Sequence, residues 1–329
     1  MKRNVVITGA YGFIGSNFVN LHRNKFDKVI LIDKMTYAAS LENVHKKVDH
    51  VSYIDINDVS HKEFKSILKS VGVDTDDSIV IVNFAAESHV DNSIGSSKIF
   101  VESNVLGTHN LLDLMLQRKN TNDTFIQIST DEVTGSIEDG EFFEDSPLRP
   151  NNPYSATKAA AEMLAFSFFK THGMDTRITR CCNNYGPNQA YEKFIPVVIS
   201  SMINGDDIPV YGNGENIREW IHVSDHCSGI LSTIEKGKPG EVYNIGSGDE
   251  CSNIEMITIL AKLVSKKLGT DIEDYLKLIT FVDDRPGHDL RYSINCDKIK
   301  TQLNWVPKIE LEKGLKTTVD YYVSKNESF

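Results

Sequence analysis

Apolar and polar positions alternate between two rhythms through the first half of the chain. Short β-branched runs, "NVVIT", "KVILID", "HVSYI", "SIVIVNF", "TFIQIS" and "DTRITR", are separated by longer stretches of helical periodicity such as Val101 to Leu116. That alternation predicts repeated βαβ units around a parallel sheet, a doubly wound α/β fold. After about Asn184 the rhythm changes. "PVYGNGENIREWIHV" carries turn glycines and short strands, and helices are expected from Ser224, from Asn253 and near Leu311 to Lys325. No internal repeat, low-complexity tract or Pro/Ser-rich linker divides the chain. The expected organisation is one domain over residues 1–184, to which some later segments return, and a smaller α/β substrate-binding domain over residues 185–329 packed directly on it.

Composition narrows the classes. With 329 residues, 40% hydrophobic and 25% charged, the chain can build an ample core, which excludes a disordered polymer. Lys and Arg total 35 against 46 acids, a net charge of −11, so no basic field is available to nucleic acid or an anionic membrane. A phosphorylated ligand must therefore be met by a local cluster of cations. Five cysteines (Cys181, Cys182, Cys227, Cys251 and Cys296) form no CxxC or metal-like spacing, which predicts reduced packing residues and no metal. The opening "MKRNVVITG" runs into a strand, and no apolar run approaches the roughly 20 residues needed to span a bilayer. The expected location is cytoplasmic.

"VVITGAYGFIGSNFV" places Gly9, Gly12 and Gly15 between the first strand and the first helix. Such a turn lets backbone approach a pyrophosphate, and the helix start offers free N–H groups and a positive dipole end. Alone, the pattern also fits a tight structural turn. The second strand is expected to end at Asp33, near the offset of an acid that accepts hydrogen bonds from an adenosine ribose; its charge would repel a 2′-phosphate and so favours NAD over NADP. Asp55 is expected at the end of the third strand, and Ala85, Ala86 and Ser88 at the end of the fourth, on the carboxyl edge where this Rossmann-type class binds ligands.

The chemical residues follow. In "NPYSATKAAAE" a helix is predicted from Pro153, with Tyr154 and Lys158 on one face. A phenol acting as base near neutrality needs its pKa lowered by three units, about 4 kcal/mol, a task expected to be shared by lysine, dinucleotide charge and desolvation. "TFIQISTDEV" ends a buried strand on Thr130, Asp131 and Glu132, which alcohol oxidation alone does not require. If the alcohol is carbon 4 of a hexose, the ketone acidifies the hydrogen on carbon 5, and loss of the carbon 6 hydroxyl then needs one base and one acid. Glu132 and Asp131 can supply both if their surroundings hold them in opposite protonation states, while Thr130 binds the carbon 4 oxygen beside Tyr154. An acidic turn with a capping Thr or Asp is the structural alternative.

These segments, with "DKMTYAASLENV", "NFAAESHVDNSI", "TRCCNNYGPNQAYEKFIP", "IPVYGNGENIREWIHVSDHC", "YNIG" and "DRPGHDLRYSI", resemble the extended short-chain dehydrogenase/reductases, and within them the dTDP-glucose 4,6-dehydratases, over nearly the whole chain. The resemblance implies conversion of dTDP-glucose to the 4-keto-6-deoxy sugar and water, as in deoxysugar (rhamnose) biosynthesis. It implies a catalytic set of Thr130, Asp131, Glu132, Tyr154 and Lys158, and a homodimer through a helix bundle. Around NAD it implies Gly9, Gly12, Phe13, Ile14, Gly15, Asp33, Lys34, Thr36, Asp55, Ile56, Ala85, Ala86, Ser88, Ser103, Tyr154, Lys158 and Asn184. Around the nucleotide-sugar it implies Ser88, Thr130, Asn183, Lys193, Phe194, Pro209, Tyr211, Arg218, Asn253, Arg285 and His288.

Asp225 reads as a helix cap or first-turn acid. Two positions depart from the family pattern: Thr134 stands where an aromatic is usual, and Asn92 where an arginine is usual. A UDP-glucose dehydratase is the near alternative, since one methyl group is worth only about 1 kcal/mol. A nucleotide-sugar 4-epimerase would not need the acid and base, and a silent NAD-sensing module would not need Tyr154 and Lys158.

Overall fold

A computed structural model describes residues 3–326. Residues 1–2 and 327–329, which the sequence reading places at the chain's opening and in the second domain, lie outside the described residues. The strands are β1 (Arg3–Thr8), β2 (Phe26–Ile32), β3 (His50–Ser52), β4 (Ile79–Asn83), β5 (Thr124–Thr130), β6 (Asp175–Cys181), β7 (Asn183–Tyr185), β8 (Ile208–Tyr211), β9 (Ile217–His222), β10 (Val242–Ile245), β11 (Glu250–Ser252) and β12 (Ile279–Val282). Seven of them form a parallel sheet in the order β10-β6-β5-β4-β1-β2-β3. The order reverses around β1, which has β2 on one side and β4 on the other. This α/β Rossmann-like architecture explains the uninterrupted apolar runs, because both faces of the central strands are covered.

Val5, Ile7, Leu31 and Val82 pack with Phe18 of the helix Phe13–His22 and Ile230 of the helix Val223–Lys236. Their neighbours Val6, Ile30 and Ile81 face the opposite way, toward Phe64 of His61–Ser70 and Leu111 of Gly107–Arg118. Full burial of each such side chain stabilises the fold by about 1.5–3 kcal/mol. A separate core lies among the helices Phe194–Asn204, Asn253–Leu268 and Leu311–Asn326, with Val210 and Trp220. Beside it are a three-stranded sheet, β11-β9-β7, and a two-stranded one, β12-β8. Among the described residues no helix is long and apolar enough to cross a membrane.

Three local differences matter to the site. β2 stops at Ile32 and β3 at Ser52, so Asp33 and Asp55 occupy the turns beyond the strands. The stretch expected to be one regular helix from Val101 begins as a π-helical segment, Val101–Leu106, that continues as Gly107–Arg118. His222, not Asp225, caps the helix Val223–Lys236; Asp225 sits in its first turn and accepts the N–H groups of Lys308 and Ile309, both at 2.8 Å.

Candidate active site

The crevice at the carboxyl ends of β1, β2 and β4 is shaped by close backbone approach. Gly9 has φ +60°, and a Cβ there would stand 2.7 Å from the Ala85 nitrogen; one on Gly15 would stand 2.3 Å from the Gly9 oxygen. Gly12 offers no side chain to cap the helix Phe13–His22, whose first turn contains the N–H groups of Phe13 and Ile14. Asp33 Oδ2 accepts from the Tyr11 N–H at 2.9 Å and Oδ1 from the Met35 N–H at 2.8 Å, so each oxygen keeps one lone pair for a further donor. Met35 has φ +55°, a left-handed conformation uncommon outside glycine.

Lys34 Nζ lies 3.4 Å from Asp55 Oδ2. Ile56 fills the space beside Gly107, where a Cβ would meet its Cδ1 at 2.5 Å. The Thr36 carbonyl accepts the Ala39 N–H, and the Ala85 N–H donates to Thr8 Oγ1 at 3.3 Å. Ala86 is half-buried, and Ser103 is buried in the π segment.

The chemical group is assembled by β5 and the helix Pro153–His172. Asn152 caps that helix reciprocally with Ser155, and Pro153 occupies its first turn. Tyr154 and Lys158 are both buried, and the Tyr154 N–H donates to Ser93 Oγ at 3.2 Å. Lys158 Nζ donates to the Ile128 carbonyl at 2.5 Å. Burial pulls the Lys158 ammonium down to about 8, while the nearby Cys181 and Glu162 oppose that pull.

Tyr154 overturns one expectation. Burial pushes its phenol well above the ordinary value, Glu132, Cys181 and Asp131 add to the rise, and only the hydrogen bond with Thr130 works downward. Desolvation disfavours the phenolate, so it cannot be among the forces that make this tyrosine a base.

Thr130 ends β5, and Asp131–Thr134 form a single 3₁₀ turn. Thr130 Oγ1 donates to Asp131 Oδ1 at 3.1 Å. Asp131 Oδ2 and Glu132 Oε2 are buried atoms with no hydrogen-bond partner among the described residues. Asp131 is held well above the usual carboxylate range by burial, then by Glu132 and Glu219. Glu132 is also raised by burial, but Arg218, Arg285 and Lys193 draw it back. Thr134, the departure from the family pattern, is buried and donates to the Asp131 carbonyl at 2.7 Å, a contact within the turn itself. Asn92 hydrogen-bonds Tyr37, an exposed residue also bonded to Glu192.

The cations converge from the second core. Lys193 Nζ donates to the Ser88 carbonyl at 2.8 Å. Arg218 is buried over the Tyr292 ring at 4.4 Å, with Nη1 on the Ile217 and Leu290 carbonyls and Nη2 on the Asp289 carbonyl. Those hydrogen-bond partners are neutral, and its charge is answered through the field of Glu132 and Asp131. Arg285 Nη1 meets Asp91 Oδ1 at 3.1 Å, and its Nε is buried without a partner. His288 Nδ1 lies 2.5 Å from Asp284 Oδ1, and its ring stands edge-on to Tyr211. Phe194 stacks on Trp220. Pro209 is exposed on β8, and Asn253 opens the helix Asn253–Leu268. Asn183 is half-buried on β7.

Asn184 is more committed: its Nδ2 serves the Cys182 carbonyl and Cys181 Sγ, and its Oδ1 meets His226 Nδ1 at 2.8 Å. Sequence reasoning missed Asn104, which bonds the Glu87 backbone through both amide atoms and Thr157 Oγ1 at 2.9 Å, joining the β4 loop to the Tyr154 helix. Nothing in "ESNVLGT" signals that role, because it depends on the π segment turning Asn104 inward. Asp289 was also missed as a support: its carboxylate takes Asn151 Nδ2 at 2.5 Å and the Tyr292 hydroxyl while its carbonyl holds Arg218.

A family model described as GDP-mannose 4,6 dehydratase matches residues 6–318. The chain belongs to the GDP-mannose 4,6 dehydratase family. It is 47% identical over 326 residues to the low-salt glycan biosynthesis protein Agl12 of Haloferax volcanii, covering 98% of this chain and 100% of that one. It is 42% identical over 328 residues to a dTDP-glucose 4,6-dehydratase of Streptomyces antibioticus, covering 97% and 92%. The crystal structure of DesIV, a dTDP-glucose 4,6-dehydratase from Streptomyces venezuelae solved with NAD and TYD bound, superposes with a TM-score of 0.89 at 40% identity and covers 99% of this chain and 98% of that one.

Proposed function

We propose that this dehydratase-family member is an NAD-dependent dTDP-glucose 4,6-dehydratase. The observation that carries the reading is the pair of adjacent carboxyls in unlike fields: burial and acidic neighbours push Asp131 well above the usual carboxylate range, whereas the rise that burial gives Glu132 is opposed by three cations. An epimerase has no use for that asymmetry.

The crevice residues fit NAD. A Cβ on Gly9 or Gly15 would fill the cradle, and Asp33 keeps lone pairs for a ribose. Bound there, NAD supplies a positive charge that favours the Tyr154 phenolate and the capacity to accept and return a hydride. Phe13, Ile14 and the turn glycines would meet its phosphates, Asp33 and Lys34 its ribose, and Asp55 and Ile56 the adenine side.

Tyr154 takes the proton from the carbon 4 hydroxyl, with Thr130 binding the same oxygen and Lys158 holding positive charge nearby. Once carbon 4 is a ketone, Glu132 removes the carbon 5 proton. Asp131 gives its proton to the carbon 6 oxygen, the carbon–oxygen bond breaks, and water departs. Return of the hydride to carbon 6 and of the proton held by Glu132 to carbon 5 would complete the 4-keto-6-deoxy sugar with no net oxidation. Lys193, Arg218 and Arg285 supply local charge for the diphosphate in a chain whose net charge is −11.

Incubation with dTDP-glucose is expected to give a 4-keto-6-deoxy product lighter by one water, detected by mass spectrometry, with slower turnover of UDP-glucose. Recovery of the carbon 4 epimer alone would defeat the assignment. We also infer a homodimer through the helices Gly107–Arg118 and Pro153–His172, whose neighbourhood exposes Ile99, Leu106, Met163 and Phe166. Met163→Glu together with Phe166→Glu should give monomers by sedimentation; an unshifted sedimentation coefficient would refute that interface.

A further inference from the structure

The segment 187–193 joins β7 to the helix Phe194–Asn204 and ends on Lys193, yet its own backbone contributes little order: the Lys193 N–H donates to the Ala190 carbonyl at 3.0 Å, and Asn188 has φ +69°. Its shape comes from other elements. Asn17 Nδ2 donates to the Pro187 carbonyl at 2.9 Å. Tyr321, on the helix Leu311–Asn326, donates its hydroxyl to Asn188 Oδ1 at 2.7 Å, which orients the amide so that Nδ2 faces Ser16 Oγ and the Asn43 carbonyl, each at 3.4 Å. Tyr322 donates to the Gln189 carbonyl at 2.6 Å, and its ring meets Tyr191 edge-on at 5.5 Å. Tyr321 and Tyr322 stand edge to face at 5.0 Å. Two consecutive residues of one helix therefore grip two consecutive residues of the strap.

At the far end of the strap Lys193 reaches the Ser88 carbonyl and shares a field with Glu132 and Arg285. We propose that Tyr321 and Tyr322 are positioning residues of the nucleotide-sugar site: their hydroxyls fix the strap and thereby aim Lys193 at a ligand diphosphate. The inference rests on the proposed function for the identity of that ligand, but not for the grip itself. Neither tyrosine touches substrate; both act through Lys193.

The test uses the full-length holoprotein with Tyr321→Phe, Tyr322→Phe and the double variant, each removing only hydroxyl groups, alongside Lys193→Met. Loss of one or two ordinary hydrogen bonds predicts dTDP binding weakened about five- to tenfold by calorimetry, and a KM raised to match with kcat within about twofold. In the Lys193→Met background the tyrosine changes should alter dTDP affinity by less than about twofold, because the group they position is gone. An equal loss with and without Lys193, or no loss at all, would overturn the proposal.

Hydrogen exchange reads the grip without nucleotide. Amides of residues 187–193 should exchange at least about tenfold faster in the double variant, or in either single variant if the double one fails to fold, with the helix Pro153–His172 unchanged. Unchanged exchange in the strap overturns the proposal. If the wild-type protein binds neither dTDP nor UDP while the strap loosens as expected, the error lies in the proposed substrate and the aim assigned to Lys193 falls with it, leaving only the grip.

Discussion

Asp131 and Glu132 are joined by one peptide bond, but their side chains enter different fields. Asp131 lies in the field of Glu132 and Glu219, offset by Arg218, whereas Glu132 lies in that of Arg218, Arg285 and Lys193, offset by Asp289. Glu132→Gln removes the one carboxyl of the two whose rise by burial is opposed by three cations. It is expected to reduce dehydration at least about 100-fold while NAD remains bound, measured by product mass and by the absorbance of the released cofactor. Turnover within twofold of wild type would exclude Glu132 as the base.

Lys158 makes a pH prediction of definite sign. Its ammonium is present below about pH 8 and lost above it, so the oxidation step should slow as pH rises past that point. Lys158→Arg keeps its charge throughout the range and should carry the decline to higher pH in single-turnover absorbance; an unmoved limb would assign it to another group, Asp131 first. The placement of Tyr154 and Lys158 on one helix and of two acids just beyond a strand was legible in the sequence because four-residue spacing and an acidic strand end are local patterns. The direction of Tyr154's shift was not, since it depends on the burial imposed by surrounding elements.

At the scale of the element, the helix Pro153–His172 carries Tyr154 and Lys158, and two features hold it in place. Asn152→Ala removes a reciprocal cap and should cost about 1 kcal/mol in urea unfolding. Glu162→Ala should cost about 3–5 kcal/mol, because fully buried Glu162 receives Arg180 Nη2 at 2.8 Å and Nε at 3.1 Å on both oxygens, and the arginine would be left buried with its charge unanswered. Replacing both with methionine should recover most of that loss; if Glu162→Ala proves harmless, the pair is not what fastens the helix to β6. The start of this helix could be read from Asn152-Pro153, and the strands from their β-branched runs. The ends of β2 and β3, the π turn at Val101–Leu106 and the carbonyl cage around Arg218 could not, because each is decided by pairing and packing with segments remote in sequence.

Over the whole molecule, acid stability is governed by groups of opposing sign. His226 is fully buried and its imidazole is pulled down to about 3 by burial; His22 is pulled to about 4. Unfolded chains bind protons at these positions near pH 6.5 and the fold resists doing so, which makes the histidines destabilising as pH falls from about 6.5 toward 3. The raised carboxyls Asp131, Glu132 and Glu219 act in the other direction. His226→Gln should therefore flatten the loss of unfolding free energy between pH 6.5 and 4, and an identical slope would remove His226 from the account. The large sheet also crosses the chain's apparent division, since β10 pairs with β6 across an intervening excursion through β7, β8 and β9. A nascent chain that has just emerged through Cys181 consequently presents a bare parallel edge, and must wait for Val242–Ile245 before that edge is sealed. Synthesis interrupted within the excursion should leave a species prone to stick to its own kind, so the second core is made while the first is still open.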